Sequence, residues 1–174
     1  LTDVLHAGEE VYVKPLLIGL PNRHNVLFDL ETNRLIGWWQ GDVAHQRTQG
    51  KTWFWDVPEK SWMKVNEKES QLQLQLGGRR LAPVALGQFV TEVDQWQHIA
   101  GGIQFRYRLH FDTGSSEKLV VTVQEKLTSL PASGQYSGWQ RQLEVSGVPA
   151  GATLLLRVAE LEQLPGKKID VANR

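Results

Sequence analysis

The chain contains no cysteine. That excludes disulfides, thiolate nucleophiles, thiolate metal sites and covalent haem attachment through a CxxCH motif within this sequence. A field of one charge sign is also missing: nineteen basic and nineteen acidic residues give a formal net charge of zero. Nothing in that balance attracts nucleic acid or an anionic surface, so nucleic acid is not an expected partner. No apolar run is long enough to cross a bilayer as a helix, and no membrane insertion is expected. The opening "LTDVLHAGEE" has neither an initiator methionine nor the profile of a signal peptide, so the chain reads as an excised domain or a processed product. Helical spacing of apolar residues is absent as well.

What is present is strand after strand. With 174 residues and 41% hydrophobic content, the chain is long enough to bury one sizeable core. "EVYVKPLLIGL" and "HNVLFDL" are short runs of branched and aromatic residues bounded by glycine, proline or asparagine. In "SQLQLQLGG", Leu72, Leu74 and Leu76 alternate with glutamine, which predicts a strand with one apolar face and one face toward water. "GGIQFRYRLHFDTG" places Ile103, Phe105, Tyr107, Leu109 and Phe111 on one face, with Gln104, Arg106, Arg108 and His110 on the other. "LVVTVQEKL", "GWQRQLEVSG" and "ATLLLRVAEL" follow, and their short connections predict an antiparallel meander. The fold class expected is all-β, a two-layer antiparallel β-sandwich with little helix. Residues 1–165 read as one domain and residues 166–174 as a C-terminal tail.

Four of the seven tryptophans fall between Trp38 and Trp55, in "LIGWWQGDVAH" and "KTWFWD". Trp38 and Trp39 are adjacent, so in a strand they point to opposite faces; Trp53 and Trp55 share a face, with Phe54 opposite. A sugar ring stacks on a flat exposed indole beside hydrogen-bonding groups, and Gln40, Asp42, His45, Gln46, Arg47 and Asp56 are close in sequence. Trp39, Trp53, Trp55, Gln46 and Arg47 are therefore the candidate ligand-binding residues, with a glycan as the candidate ligand. Against this stands the plainer reading that the aromatic cluster fills one end of the sandwich.

Catalytic signatures are sparse. His6, His24, His45, His98 and His110 form no HxH or HExxH pair, so no metal site is expected. There is no GxSxG, and "LGGRRLAP" lacks the glycine spacing of a dinucleotide site, so no cofactor is expected in this chain. Arg106, Arg108 and His110 share a polar face that suits either an anion or plain solvation. Asp29, Glu31, Asp42, Asp56 and Glu92 are the carboxylates available for glycoside chemistry, and sequence places no two of them in one cleft. The candidate acid-base residues are His45 with Asp42 or Asp56.

"IGLPNRHNVLFDLETNRLIGWWQGDV", followed by "IQFRYRLHF", "VTVQEKL", "GWQRQLEVSG" and "TLLLRVAEL", resembles a domain of large exported planctomycete-type proteins, the haem-binding CxxCH or membrane-bound dehydrogenase type. The resemblance covers most of residues 16 to 161. It implies a supersandwich similar to those of galactose mutarotases and polysaccharide lyases, carried in a larger periplasmic or extracellular redox protein beside other domains, among them a c-type cytochrome domain. It also implies an accessory or binding role for this domain. Mutarotase-like sandwiches use a histidine and a carboxylate as acid and base, and those positions find no match here. "AHQRTQGKTWFWDVPEKSW" departs from the family pattern, so no ligand specificity carries over there. The alternative is a stand-alone carbohydrate-active enzyme using the His45 pair. On either reading the purified chain is expected to be colourless; an absorbance spectrum with a stoichiometric Soret or flavin band would contradict this.

Overall fold

The computed structural model describes residues 4–49, 52–58, 63–64, 69–133, 136–157 and 160–161. The boundary expected at residue 165 and the tail over 166–174 lie outside them. Every regular element among the described residues is a strand. In chain order these are β1 (Val4–Ala7), β2 (Glu10–Val13), β3 (Leu16–Gly19), β4 (His24–Asp29), β5 (Arg34–Gln40), β6 (His45–Gln49), β7 (Thr52–Asp56), β8 (Met63–Lys64) and β9 (Leu72–Leu76). They continue with β10 (Arg79–Leu81), β11 (Pro83–Val84), β12 (Glu92–Ile99), β13 (Gly102–Phe111), β14 (Leu119–Ser133), β15 (Tyr136–Ser146), β16 (Ala152–Leu156) and β17 (Glu160–Leu161). The all-β antiparallel expectation holds, with one parallel pairing among the described residues, β1 on β7.

The run "EVYVKPLLIGL" divides at Lys14, which sits in the left-handed region (φ 53°), and Pro15. Its two halves enter different sheets: β2-β1-β7-β6 forms one, and β3-β4-β5 forms another. The larger C-terminal sheet runs β11-β13-β14-β15, with β12 also on β13. The expected meander ends at β15, because β16 crosses to pair with β9 in a sheet ordered β10-β9-β16.

The β3-β4-β5 sheet is the middle of the molecule. All six residues of β4 are buried, which period-two alternation allows only if both faces are covered. Val26 and Phe28 join Ile18 and Leu35 against Phe105, Tyr107, Leu109 and Val123 of the C-terminal sheet. Leu27 faces the other way and joins Leu17, Trp39, Leu5 and Val57 in a second cluster under the N-terminal sheet. The sandwich thus has a further layer on its N-terminal side. Phe28 meets Phe105 edge-on at 5.6 Å, and Phe105 stacks on Tyr107 at 5.7 Å, the offset and edge geometries that aromatic quadrupoles favour. Gly102 opens β13 hard against β14: a Cβ there would lie 1.8 Å from the Leu127 carbonyl oxygen.

The main core also holds charge. Glu125 is 0% exposed and shares the inward parity of Val121, Val123 and Leu127. Arg141 clamps it in two places, Nε to Oε1 at 2.7 Å and an Nη to Oε2 at 3.1 Å, while the Tyr107 hydroxyl donates to Oε2 at 3.0 Å. Arg141 also donates to Gln71 Oε1 at 3.1 Å, which accepts in turn from the Leu35 amide at 3.0 Å. Burial, then the Glu125 charge, push the Tyr107 hydroxyl well above its usual pKa. Burial works against the charge of Arg141, and adjacent Glu125 outweighs it and raises the pKa. The glutamines of "SQLQLQLGG" do not all reach water: Gln71 and Gln73 are buried, the latter donating to Glu69 at 3.1 Å, and only Gln75 is exposed.

Removing one partner of a buried, hydrogen-bonded ion pair leaves the other charge uncompensated. Glu125→Leu and Arg141→Leu are each expected to destabilise the fold by about 3–5 kcal/mol, and the double change Glu125→Leu/Arg141→Leu by less than the sum of the two. Denaturant midpoints of the single and double variants check this; additive losses would contradict it.

Candidate functional site

Adjacent Trp38 and Trp39 take opposite faces of β5 as strand geometry requires, and neither face is open. Trp38 lies on the main-core side, edge-on to Trp139 at 5.8 Å, and its indole N–H donates to His24 Nδ1 at 2.9 Å. An indole only donates, so His24 Nδ1 is the acceptor, and the proton on Nε2 faces Ser137 Oγ at 2.9 Å. Trp39 is 3% exposed within the second cluster and donates to the Asp42 carbonyl at 2.8 Å. Trp39 is a candidate ligand-binding residue by sequence, and in the structure the layer formed by the N-terminal sheet covers it.

The hairpin of β6 and β7 sorts the remaining candidates by parity. Trp55 lies opposite Gln46 and beside Leu5, on the face that packs into the second cluster. Trp53 shares that face, opposite Thr48 near the hairpin end, and is 63% exposed. On the outer face, Phe54 is covered by the Arg47 guanidinium, 5.3 Å from the ring centroid, and by the His6 ring at 4.4 Å. Arg47 also forms an ion pair with Asp56. His45 stands directly across from Asp56. The hairpin therefore holds its candidates in two places: Trp53 on one face near the hairpin end, and His45, Arg47 and Asp56 on the other.

Asp42 and His45 border a third feature, an open cleft of about 600 Å³ at the end of the middle sheet. Arg23 and Asn25 line it as well, and no tryptophan among the described residues does. Arg23 reaches across to Asp42 at 3.3 Å, with both side chains more than two-thirds exposed. Both candidate carboxylates, Asp42 and Asp56, are thus held by arginines. No cluster of three or more metal-ligating side chains occurs among the described residues. Sequence reasoning missed Arg23 and Asn25; the one signal was an asparagine at the head of the otherwise apolar "NVLF".

The Arg106, Arg108, His110 row on β13 is paired rather than open. Arg106 bonds Asp94 at 3.0 Å, and Glu92 takes both Arg108 at 2.9 Å and His110 Nε2 at 3.0 Å. Comparison of the chain with protein-family models, with curated proteins and with solved structures finds no match.

The hydrogen bond from His110, followed by the nearby Arg108 charge, holds the Glu92 carboxyl below its usual value of 4.5 against the desolvation that opposes them. A depressed carboxyl stabilises the fold above its unfolded-state pKa, and the contribution disappears as pH falls through the folded value. Wild type is therefore expected to melt above Glu92→Gln at pH 6, with the gap closing below the ordinary glutamate range. Melting temperatures across that range check this; a gap that widens on acidification would contradict it.

Proposed function

We propose that this chain is a non-catalytic binding domain for carbohydrate, serving as an accessory unit of a larger exported haem-containing or dehydrogenase-type protein. The observation that carries the carbohydrate part is Trp53, a residue 63% exposed on a paired strand. Tryptophan brings a large apolar area that normally goes to burial, and the neighbouring Trp39 and Trp55 follow that rule. An indole left open and held by a β-ladder is a preformed stacking platform, and its rigidity lowers the entropy lost on binding. Thr48 beside it, and Gln46 further along the same face, offer hydrogen bonds to hydroxyls. The exported, multidomain context rests on the sequence resemblance alone; a longer reading frame carrying a CxxCH motif would support it.

A second reading, a carbohydrate-active enzyme, is favoured by one observation: His45 and Asp56 face each other across β6 and β7. It is weakened by Arg47, which already engages the Asp56 carboxylate.

Trp53→Ala is expected to weaken binding to a neutral oligosaccharide by roughly 1–2 kcal/mol, while shifting stability by less than about 0.5 kcal/mol. Trp39→Ala, by contrast, is expected to destabilise the fold by about 3–5 kcal/mol. Affinity electrophoresis on a glycan panel and thermal melts check both. Panel-wide failure of the wild-type chain to bind would end the binding reading. Turnover of a panel member that is lost in His45→Ala would replace it with the enzymatic one.

A further inference from the structure

The wall of the cleft contains an acceptor with nothing to accept. Asn25 is buried, and its Nδ2 donates to the carbonyl oxygens of Gly41 at 3.1 Å, Asp42 at 3.3 Å and Arg23 at 3.4 Å. Three carbonyls around one nitrogen fix the amide's orientation, because a flip would set oxygen against oxygen. Oδ1 therefore points the other way, and it has no hydrogen-bond partner among the described residues. An unpaired buried acceptor is unfavourable in a folded protein, and each instance needs an explanation.

Its surroundings supply one. Oδ1 sits over Gly19: a Cβ built there would be 3.4 Å from Oδ1 and 3.1 Å from a methyl of Val43. Gly19 and Val43 both line the cleft, and Val43 is an exposed apolar side chain on the stretch between β5 and β6. Oδ1 itself is buried, so a ligand reaches it only once a lining side chain such as Val43 turns aside. At the mouth, Arg23 and Asp42 form an exposed pair. Exposed pairs of this kind are weak, so a ligand opens or joins this one readily. Together they offer one donor group, one acceptor group and no net charge, with Leu20 and Val43 as apolar wall. A phosphorylated or carboxylated ligand would gain Arg23 but set its charge against Asp42, and a mouth without net charge does not draw it in. A neutral ring with neighbouring hydroxyls satisfies every group.

We infer that this cleft is the hydrogen-bonding subsite for one sugar residue of a neutral glycan. Asp42 and Asn25 Oδ1 accept from adjacent ring hydroxyls, Arg23 donates, and Leu20 and Val43 pack against the C–H face. The inference rests on the carbohydrate-binding reading and extends it. His45 lies at the cleft and Thr48, beside Trp53, lies three positions along β6, about 10 Å at the rise of a strand. His45 and Trp53 project from opposite faces of the hairpin, and β6 is the edge strand of its sheet, so an oligosaccharide that engages both places passes round that edge.

The test is a titration of the isotope-labelled chain with neutral hexasaccharides of glucan, mannan, galactan and xylan, followed by amide and indole NMR signals. With one of them, the Asn25 side-chain amide and the Gly19 and Gly41 backbone amides are expected to move together with the Trp53 indole, at one common Kd. Asp42→Asn and Arg23→Asn should each weaken that Kd by about ten-fold. Both replace exposed side chains, and asparagine suits the left-handed backbone of Arg23 (φ 64°), so the fold is kept. A saccharide that moves the Trp53 indole alone, or that binds both variants as tightly as wild type, overturns the subsite and leaves the carbohydrate-binding reading standing. If no saccharide moves any signal, both fall.

Discussion

A buried carboxylate sets the terms for the rest of this molecule. Glu125 is 0% exposed, and a charge at that depth persists only with full compensation. Arg141 supplies the countercharge from β15, Tyr107 a hydroxyl from β13, and Gln71 ties the same guanidinium to the Leu35 backbone of the middle sheet. These bonds are directional, so they fix spacing and register in a way that the surrounding leucines and valines do not. Around Leu35 the pattern continues: Asn33 bonds Thr91 at 3.2 Å and accepts from Ser70 at 3.2 Å. The C-terminal sheet and the middle sheet are joined by polar contacts as well as apolar area.

Once the middle sheet is held against one neighbour, its other face has to be covered too. Leu5, Trp55 and Tyr12 of the N-terminal sheet do so. That layer decides the fate of the aromatic cluster. Trp38 goes to one interface, Trp39 and Trp55 to the other, and Trp53, one strand position pair beyond the packed region, is left open. The candidate stacking surface is thus a consequence of how far the second cluster extends along β7.

Much of this was legible in the sequence, and the parts that were not share a cause. Alternation along "IQFRYRLHF" named the buried face of β13 residue by residue, because that strand has one covered face. Glu125 stood on the apolar parity and was a readable anomaly. The continuous apolarity of "NVLFDL" carried the signal of a sheet covered twice. Which segment covers it, and therefore whether Trp39 is open, depends on long-range packing that no local period reports. Gln71 and Gln73 are buried because of Arg141, Leu35 and Glu69, all distant in sequence or outside the alternating run. Asn25 and Arg23 come together with Asp42 only through the turn at Arg23 and the β5-to-β6 connection.

The sorting of tryptophans between core and binding surface is the central claim, and hydroxyl-radical footprinting with and without a bound oligosaccharide tests it most directly. Trp53 and Trp96, 63% and 61% exposed, should oxidise readily, while Trp39, at 3%, stays protected. Ligand should then shield Trp53 and leave Trp96 reactive. Oxidation of Trp39 at the rate of Trp53, or a saturating ligand that shields Trp96 and not Trp53, would contradict the account.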